Sequence, residues 1–236
     1  MSVDNSLTIF PYEPFKLDFG INILNFQNQD EYSKIIFNLY QLRDKIRLFD
    51  DPDQFMHFYV DNKLQKSTQK EMDFIGSLQT YSINSMPNLK LVYKKIAQSS
   101  NVEFKDAFEK INVELNELVF DAGCSFDGPF DYDSLSTFES ILKFKSLKFD
   151  SGNWQNYYDK MLAVINFYKD FSEKRLLILH DLHKLLNLNQ VNEMNDYLRS
   201  LKLTLISFES YEMISRTENL NCKVYSIDDD HMRFDY

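Results

Sequence analysis

The sequence predicts an α/β fold: a mostly parallel sheet forming a degenerate P-loop-like head, plus an inserted helical leg lobe. Short apolar runs dominate the C-terminal half, namely Arg175-Leu-Leu-Ile-Leu-His-Asp181, Leu203-Thr-Leu-Ile-Ser-Phe-Glu209 and Cys222-Lys-Val-Tyr-Ser-Ile-Asp228. A polar-capped helical stretch from about Asn189 to Leu201 separates the first two, long enough for a right-handed crossover between parallel strands. In the middle of the chain the period changes: Phe104, Phe108, Ile111, Leu115 and Leu118 recur at steps of three and four, continuing to Val119 and Phe120. The third observation is glycine. The 236 residues hold five, and none is followed by Lys.

The apolar run ending in Asp181 has the form of the metal-side strand of a P-loop NTPase, whose carboxylate holds magnesium through water. Its phosphate loop is missing. Gly123 and Gly128 have the right spacing, but Pro129 stands where the phosphate-gripping Lys belongs and removes an amide the phosphates need. No two glycines are two apart, so a dinucleotide fingerprint is excluded as well. No ATP is expected as a ligand, and no catalysis.

The elements follow in order. Phe15 to Phe26 reads as extended, with alternation through Ile21, Ile23 and Leu24. Gln29 to Ile46 places Tyr32, Ile35, Ile36, Leu39 and Tyr40 on one helical face. From about Asp53 to Gly123 the pattern is read as helical, and its long apolar stripe forms either the lobe's core or a seam with a second copy. A further helix, Trp154 to Phe171, gathers Tyr157, Tyr158, Met161, Leu162, Ile165 and Tyr168 and leads into the Arg175 strand. The expected division is a head of residues 1–52 and 140–236 and a helical leg with an acidic segment over 53–139.

Composition is that of a soluble globular protein, 44% hydrophobic and 26% charged. No run approaches the roughly 18 apolar residues of a membrane span, and Met1 to Thr8 lacks the features of a secretory signal, so a cytoplasmic location and no membrane partner are expected. Cys124 and Cys222 are far apart without metal-ligand spacing and read as packing residues. The net charge of −10 argues against nucleic acid until its distribution is considered. Acids gather at Asp50, Asp51 and Asp53, from Asp121 to Glu139, and at Asp228 to Asp230. Ile141 to Phe149 carries Lys143, Lys145 and Lys148 without an acid, and Lys90, Lys94 and Lys95 form a second basic group. The bland reading of both is a solvated face, and alternating Lys with Leu and Phe also fits an edge strand whose charges block aggregation.

The order of Ile21-Asn-Ile-Leu-Asn-Phe26, Ile35-Ile-Phe-Asn-Leu-Tyr-Gln41, Leu48-Phe-Asp50, Glu117-Leu-Val-Phe120, Phe130-Asp-Tyr-Asp133, Lys174-Arg-Leu-Leu-Ile-Leu179 and Leu203-Thr-Leu-Ile-Ser-Phe-Glu209, with the tail Asp228-Asp-Asp-His-Met-Arg-Phe-Asp-Tyr236, resembles the small CRISPR-associated adaptation protein of type II-A loci. The resemblance runs along nearly the whole chain and lies in order and spacing. It implies a non-catalytic protein that forms a homotetrameric ring around the ends of linear double-stranded DNA, is stabilised by calcium ions (Ca2+), and takes part in spacer acquisition. Its implied partners are the CRISPR integrase subunits and the RNA-guided effector nuclease. A ring also reconciles DNA with an acidic chain, because a few lysines per subunit converging on one channel make a positive interior.

Under the resemblance, Asp121, Asp127, Asp131, Asp133 and Glu139 correspond to the family's calcium-binding acids. Calcium takes six to eight oxygens, which several carboxylates on one short segment can supply. They form no EF-hand: Asp131-Tyr-Asp133 is followed by Ser134, with no third acid two residues on and Ser136 at the glycine position. Without the resemblance the segment reads as a solvated acidic loop. For DNA the first choice is Lys143, Lys145 and Lys148, then Lys90, Lys94 and Lys95, all directed at phosphate.

Two other classes compete. His180-Asp181, with His57 upstream and Asp230 downstream, has the residue order of HD-type metal phosphohydrolases, although that chemistry sits on helices and Leu176 to Leu179 reads as a strand. His180 and His183 otherwise read as polar residues at a strand end and a helix start. The third class is an oligomeric interaction module without DNA affinity.

Overall fold

The computed structural model describes residues 5–48, 51, 54–66, 71–99, 101–128, 130–131, 137–210 and 219–236. In chain order these form β1 (Asn5–Ile9), β2 (Phe15–Leu17), β3 (Gly20–Phe26), α1 (Gln29–Arg43), β4 (Met56–Val60), β5 (Lys63–Leu64) and β6 (Met72–Ser77). Then come α2 (Met86–Ser99), α3 (Val102–Gly123), α4 (Phe138–Phe144), α5 (Tyr157–Phe171), β7 (Leu176–His180), α6 (Leu188–Ser200), β8 (Thr204–Glu209), β9 (Lys223–Ile227) and β10 (Arg233–Asp235). Two units result: Met1–Tyr81 with Ser151–Tyr236, and Ser82–Asp150.

The first unit is built on a sheet in the order β10-β9-β3-β8-β7-β6, parallel throughout except for β10 at its edge. All seven residues of β3 and all six of β8 are buried, as expected of central parallel strands covered on both faces. Taken in chain order, the parallel strands run fifth, first, fourth, third, second across the sheet. Adjacent strands β3 and β8 therefore send their chains in opposite directions, β3 through α1 toward β6 and β8 toward β9. A smaller antiparallel sheet, β2-β1-β4-β5, alternates buried and half-buried residues, and its Leu7, Ile9, Phe58 and Val60 join Tyr32, Ile35 and Leu39 of α1 and Phe26, Ile178 and Phe208 of the large sheet in one apolar core.

Residues 56–77 correct the helical reading of that stretch. Met56, Phe58 and Val60 are buried at period two, and Asp61 and Asn62 both take positive φ (49° and 59°) between β4 and β5, the geometry of a tight hairpin turn. A period-two run this short is overridden when averaged with the longer helical pattern that follows it. The strands place these residues in the first unit, so the helical unit starts near residue 82 rather than 53.

In the second unit, α2 buries Asn88, Leu89, Val92 and Tyr93. The Asn84 side chain holds the Phe149 backbone at both ends, donating to its carbonyl at 3.0 Å and accepting its N–H at 2.9 Å. Tyr93 Oη donates to the Leu147 carbonyl at 2.7 Å. Segment 138–149 is therefore no edge strand. Thr137 caps α4 by accepting the Ser140 N–H, and the chain then turns at Ser146, where φ is 52°. Residues 140–150 belong to this unit and not to the head. Phe138 of α4 packs edge-on against Phe104 and Phe108 of α3, at 4.5 and 5.5 Å between ring centroids.

The cysteines differ in chemistry. Cys124 is exposed, whereas burial pushes the Cys222 thiol up to about 12 against the opposing pull of Arg199. A thiol reagent at pH 8 is expected to modify Cys124 quickly and Cys222 only on unfolding; equal rates would refute this. Because the unfolded thiol ionises near 8.5, the folded state holds the extra proton between there and about 12. The stability that Cys222 contributes is thus complete below pH 8.5 and is lost above it.

Candidate functional site

The basic residues lie on segments that pack against one another. Lys90 and Lys94 are one helical turn apart on α2 with Lys95 beside them, Lys143 lies on α4, Lys145 is its C-cap, and Lys148 stands between Leu147, bonded to Tyr93 of α2, and Phe149, bonded to Asn84 just before α2. All are exposed, and none forms an ion pair with a described carboxylate. Two groups about fifty residues apart in sequence thus occupy packed segments of one unit.

The acids of the same unit are dispersed. Asp121 is in the last turn of α3, Asp127 and Asp131 are exposed beyond it, Glu139 is half-buried in the first turn of α4, and Asp133 lies outside the described residues. Phe126 and Phe130 pack at 6.2 Å and, with Val119 and Phe120, line an apolar pocket of about 350 Å³ that has Asp131 on its wall. Among the described residues these carboxylates form no group of three donors within 4.8 Å of one another; the one such group is Asp181, His183 and Glu209 in the first unit.

That group sits at the carboxyl ends of β7 and β8. Asp181 leaves β7 in the left-handed region (φ 60°, ψ 33°) and starts a short 3₁₀ turn, Leu182–Lys184. Its Oδ2 accepts from His180 Nδ1 at 2.8 Å and its Oδ1 pairs with Lys184 Nζ at 2.7 Å, while the Tyr40 hydroxyl donates to His180 Nε2 at 3.1 Å. Burial pushes the Asp181 carboxyl upward, but the hydrogen bonds and charges of His180 and Lys184 outweigh it and hold the group far below the usual carboxylate range. Glu209 has a side chain only 1% exposed. Its Oε1 accepts the Leu182 N–H at 2.9 Å and the Ser207 hydroxyl, and its Oε2 accepts from His183 Nδ1. Sequence spacing does not pair Asp181 with Glu209; the only signal is that each ends an apolar strand.

The turn from β3 to α1 is where a P-loop fold would bind phosphate, and here it consists of Gln27 and Asn28 alone. Asn28 Oδ1 accepts the N–H groups of Asp30 and Glu31, both at 3.1 Å, and those two residues put carboxylates in the first turn. The donors an anion would need are used by the protein's own side chain, and the flanking charge is repulsive. The phosphohydrolase constellation is corrected too: His57 lies in β4 of the small sheet and Asp230 in the turn before β10, neither joins His180-Asp181, and His180 ends a strand.

Together these features define a class: an α/β protein with the sheet order of a nucleotide-binding fold, a phosphate turn closed by its own cap, and a helical unit between its second and third parallel strands. Residues 48–231 match the family model described as CRISPR-associated protein (Cas_Csn2), and the chain belongs to this Csn2 family. It is 23% identical over 201 residues to the CRISPR-associated protein Csn2 of Streptococcus agalactiae, covering 84% of this chain and 85% of that protein. The crystal structure of Stu0660 of Streptococcus thermophilus has the same fold, with a TM-score of 0.57 at 15% identity over 100% of this chain and 77% of that one. Among the described residues no helix is long and apolar enough to cross a membrane.

Proposed function

We propose that this chain acts in CRISPR adaptation as a non-catalytic, sequence-independent binder of linear double-stranded DNA, assembled as a homotetrameric ring. The observation that carries the reading is that Lys90, Lys94 and Lys95, and Lys143, Lys145 and Lys148, lie on mutually packed segments of one unit, exposed and unpaired with described carboxylates, in a chain of net charge −10. Ammonium groups without base-reading partners neutralise phosphates and carry no sequence information. The capped β3–α1 turn supports a role without ATP. Calcium at Asp121, Asp127, Asp131, Asp133 and Glu139 stabilises the ring in this reading, and its partners in acquisition are the integrase subunits and the RNA-guided effector nuclease.

The test compares a linear duplex with the same sequence as a covalently closed circle, with calcium and then with chelator, following mass by light scattering. Tetramer-sized particles holding only the linear form are expected; equal binding of both forms overturns the threaded ring. Lys143→Glu with Lys145→Glu is expected to abolish binding at physiological salt and to lower the salt slope by about one for each phosphate that is no longer neutralised, with the oligomer intact. Unchanged binding removes these lysines from the interface. Chelator should lower the melting temperature of the wild type and not that of Asp131→Ala with Asp133→Ala.

A further inference from the structure

We infer that the head carries a second, separate cation site, formed by Asp181, His183 and Glu209 at the carboxyl ends of β7 and β8, that takes a divalent first-row transition ion such as Zn2+ or Mn2+. Its place in the fold is the first argument. Adjacent strands β3 and β8 lead their chains in opposite directions, and in open parallel sheets the crevice beyond the carboxyl ends at such a point is where ligands bind. A cavity of about 500 Å³ opens there, with His183 and Glu209 in its wall beside Ile23, Leu186 and Val191.

The donor set is the second argument. One imidazole nitrogen and two carboxylates lie within 4.8 Å of one another. Ligand atoms about 2.1 Å from one ion sit about 3.0–3.4 Å apart at octahedral or tetrahedral angles, so side-chain rotations of about 1–2 Å at most close the site. A nitrogen donor and only two carboxylates suit zinc, manganese or iron and fit poorly with calcium, which takes six to eight oxygens. The ion's charge would offset two carboxylates, one of them in a side chain 1% exposed. Without an ion, that burial is compensated by His183, two N–H or O–H donors and, for Asp181, by Lys184.

The third argument is the shell around the acids. Tyr32 is 7% exposed and its hydroxyl interacts with the Asp181 carboxylate. The surrounding donors already have the form of an outer shell: Ser207 and the Leu182 N–H orient Glu209, and His180, itself held by Tyr40, orients Asp181.

Isothermal titration of the full chain, freed of metal by chelator, with Zn2+ and with Mn2+ tests the assignment. A site of one ion per chain is expected, weakened more than tenfold by His183→Gln and about ten- to a hundredfold by Ser207→Ala. Glu209→Gln should abolish it; His183, which is partly exposed, remains informative if that variant does not fold. The same variants should leave the calcium response and DNA retention unchanged, so failure of this site and failure of the ring reading are separable. Equal affinity of wild type and His183→Gln, or no saturable binding of either ion, would overturn the inference.

Discussion

Replacing Ile111 and Leu118 together by Glu is expected to convert the proposed oligomer into single chains without loss of helix. α3 is 22 residues long, about 33 Å at 1.5 Å per residue, and buries none of its residues within the chain. Its Phe104, Phe108, Ile111, Leu115 and Leu118 repeat at four and three, the spacing of a coiled-coil seam, with Ile111 60% and Leu118 66% exposed. Fully burying each side chain at a helix–helix seam contributes about 1.5–3 kcal/mol, and putting carboxylates there without partners costs more than simply removing the apolar groups. The helix itself should persist, because Asn101 caps it by accepting the Phe104 N–H at 2.8 Å and both replaced side chains point into solvent in the single chain. Light scattering should report the monomer mass with an unchanged helical circular-dichroism signal. In the proposed ring, DNA retention should fall with it, since the lysine groups of separate chains would no longer act at high effective concentration. A variant keeping the wild-type mass would show that the stripe is not the seam.

Gly20→Ala is expected to lower stability by about 4 kcal/mol. Gly20 starts β3 with φ 99°, a conformation that costs an alanine about 1–3 kcal/mol. The added Cβ would also stand 2.2 Å from Asn195 Oδ1 and 2.8 Å from Arg199 Cγ. Asn195 cannot yield cheaply: it is 1% exposed, its Oδ1 accepts the Ile21 N–H at 2.7 Å, and its Nδ2 donates to the Asn221 carbonyl at 3.0 Å. Displacing it leaves buried groups unpaired, at about 1–3 kcal/mol. The melting temperature should fall by about 10 °C. Gly76→Ala is the comparison: its φ of 73° strains an alanine as well, but its Cβ would come no nearer than 3.1 Å to another group, the Tyr40 hydroxyl, so its destabilisation should be smaller. A Gly20→Ala protein within 1 kcal/mol of wild type would mean that Asn195 relaxes freely.

These two sites differ in how far their chemistry can be read from sequence. The stripe of α3 was legible because a helix with few neighbours keeps its period in the residues themselves. The constraint on Gly20 was not, since it comes from Asn195, in the helix that crosses back between β7 and β8. The strands at residues 56–64 had a local signal, alternation ending in Asp61-Asn62, that a longer helical pattern outweighed. Lys143 to Phe149 alternates like a strand yet follows a capped helix, because Thr137 satisfies the first-turn amide and Asn84 then fixes the chain beyond it.

What the sequence by itself determined is the parallel α/β head with its apolar strand runs, the absence of a glycine-rich phosphate loop, the helical stripe, and the two lysine groups. These are set by periodicity, by residue type and by backbone chemistry, all of which act over a few neighbouring positions. Only the tertiary structure decided that the lysine groups share packed segments, that Asn28 closes the turn after the first parallel strand, and that Asp181, His183 and Glu209 meet at the strand ends. Such meetings depend on which strands are neighbours in the sheet, and strand order is fixed by the packing of the whole core rather than by any local run of residues.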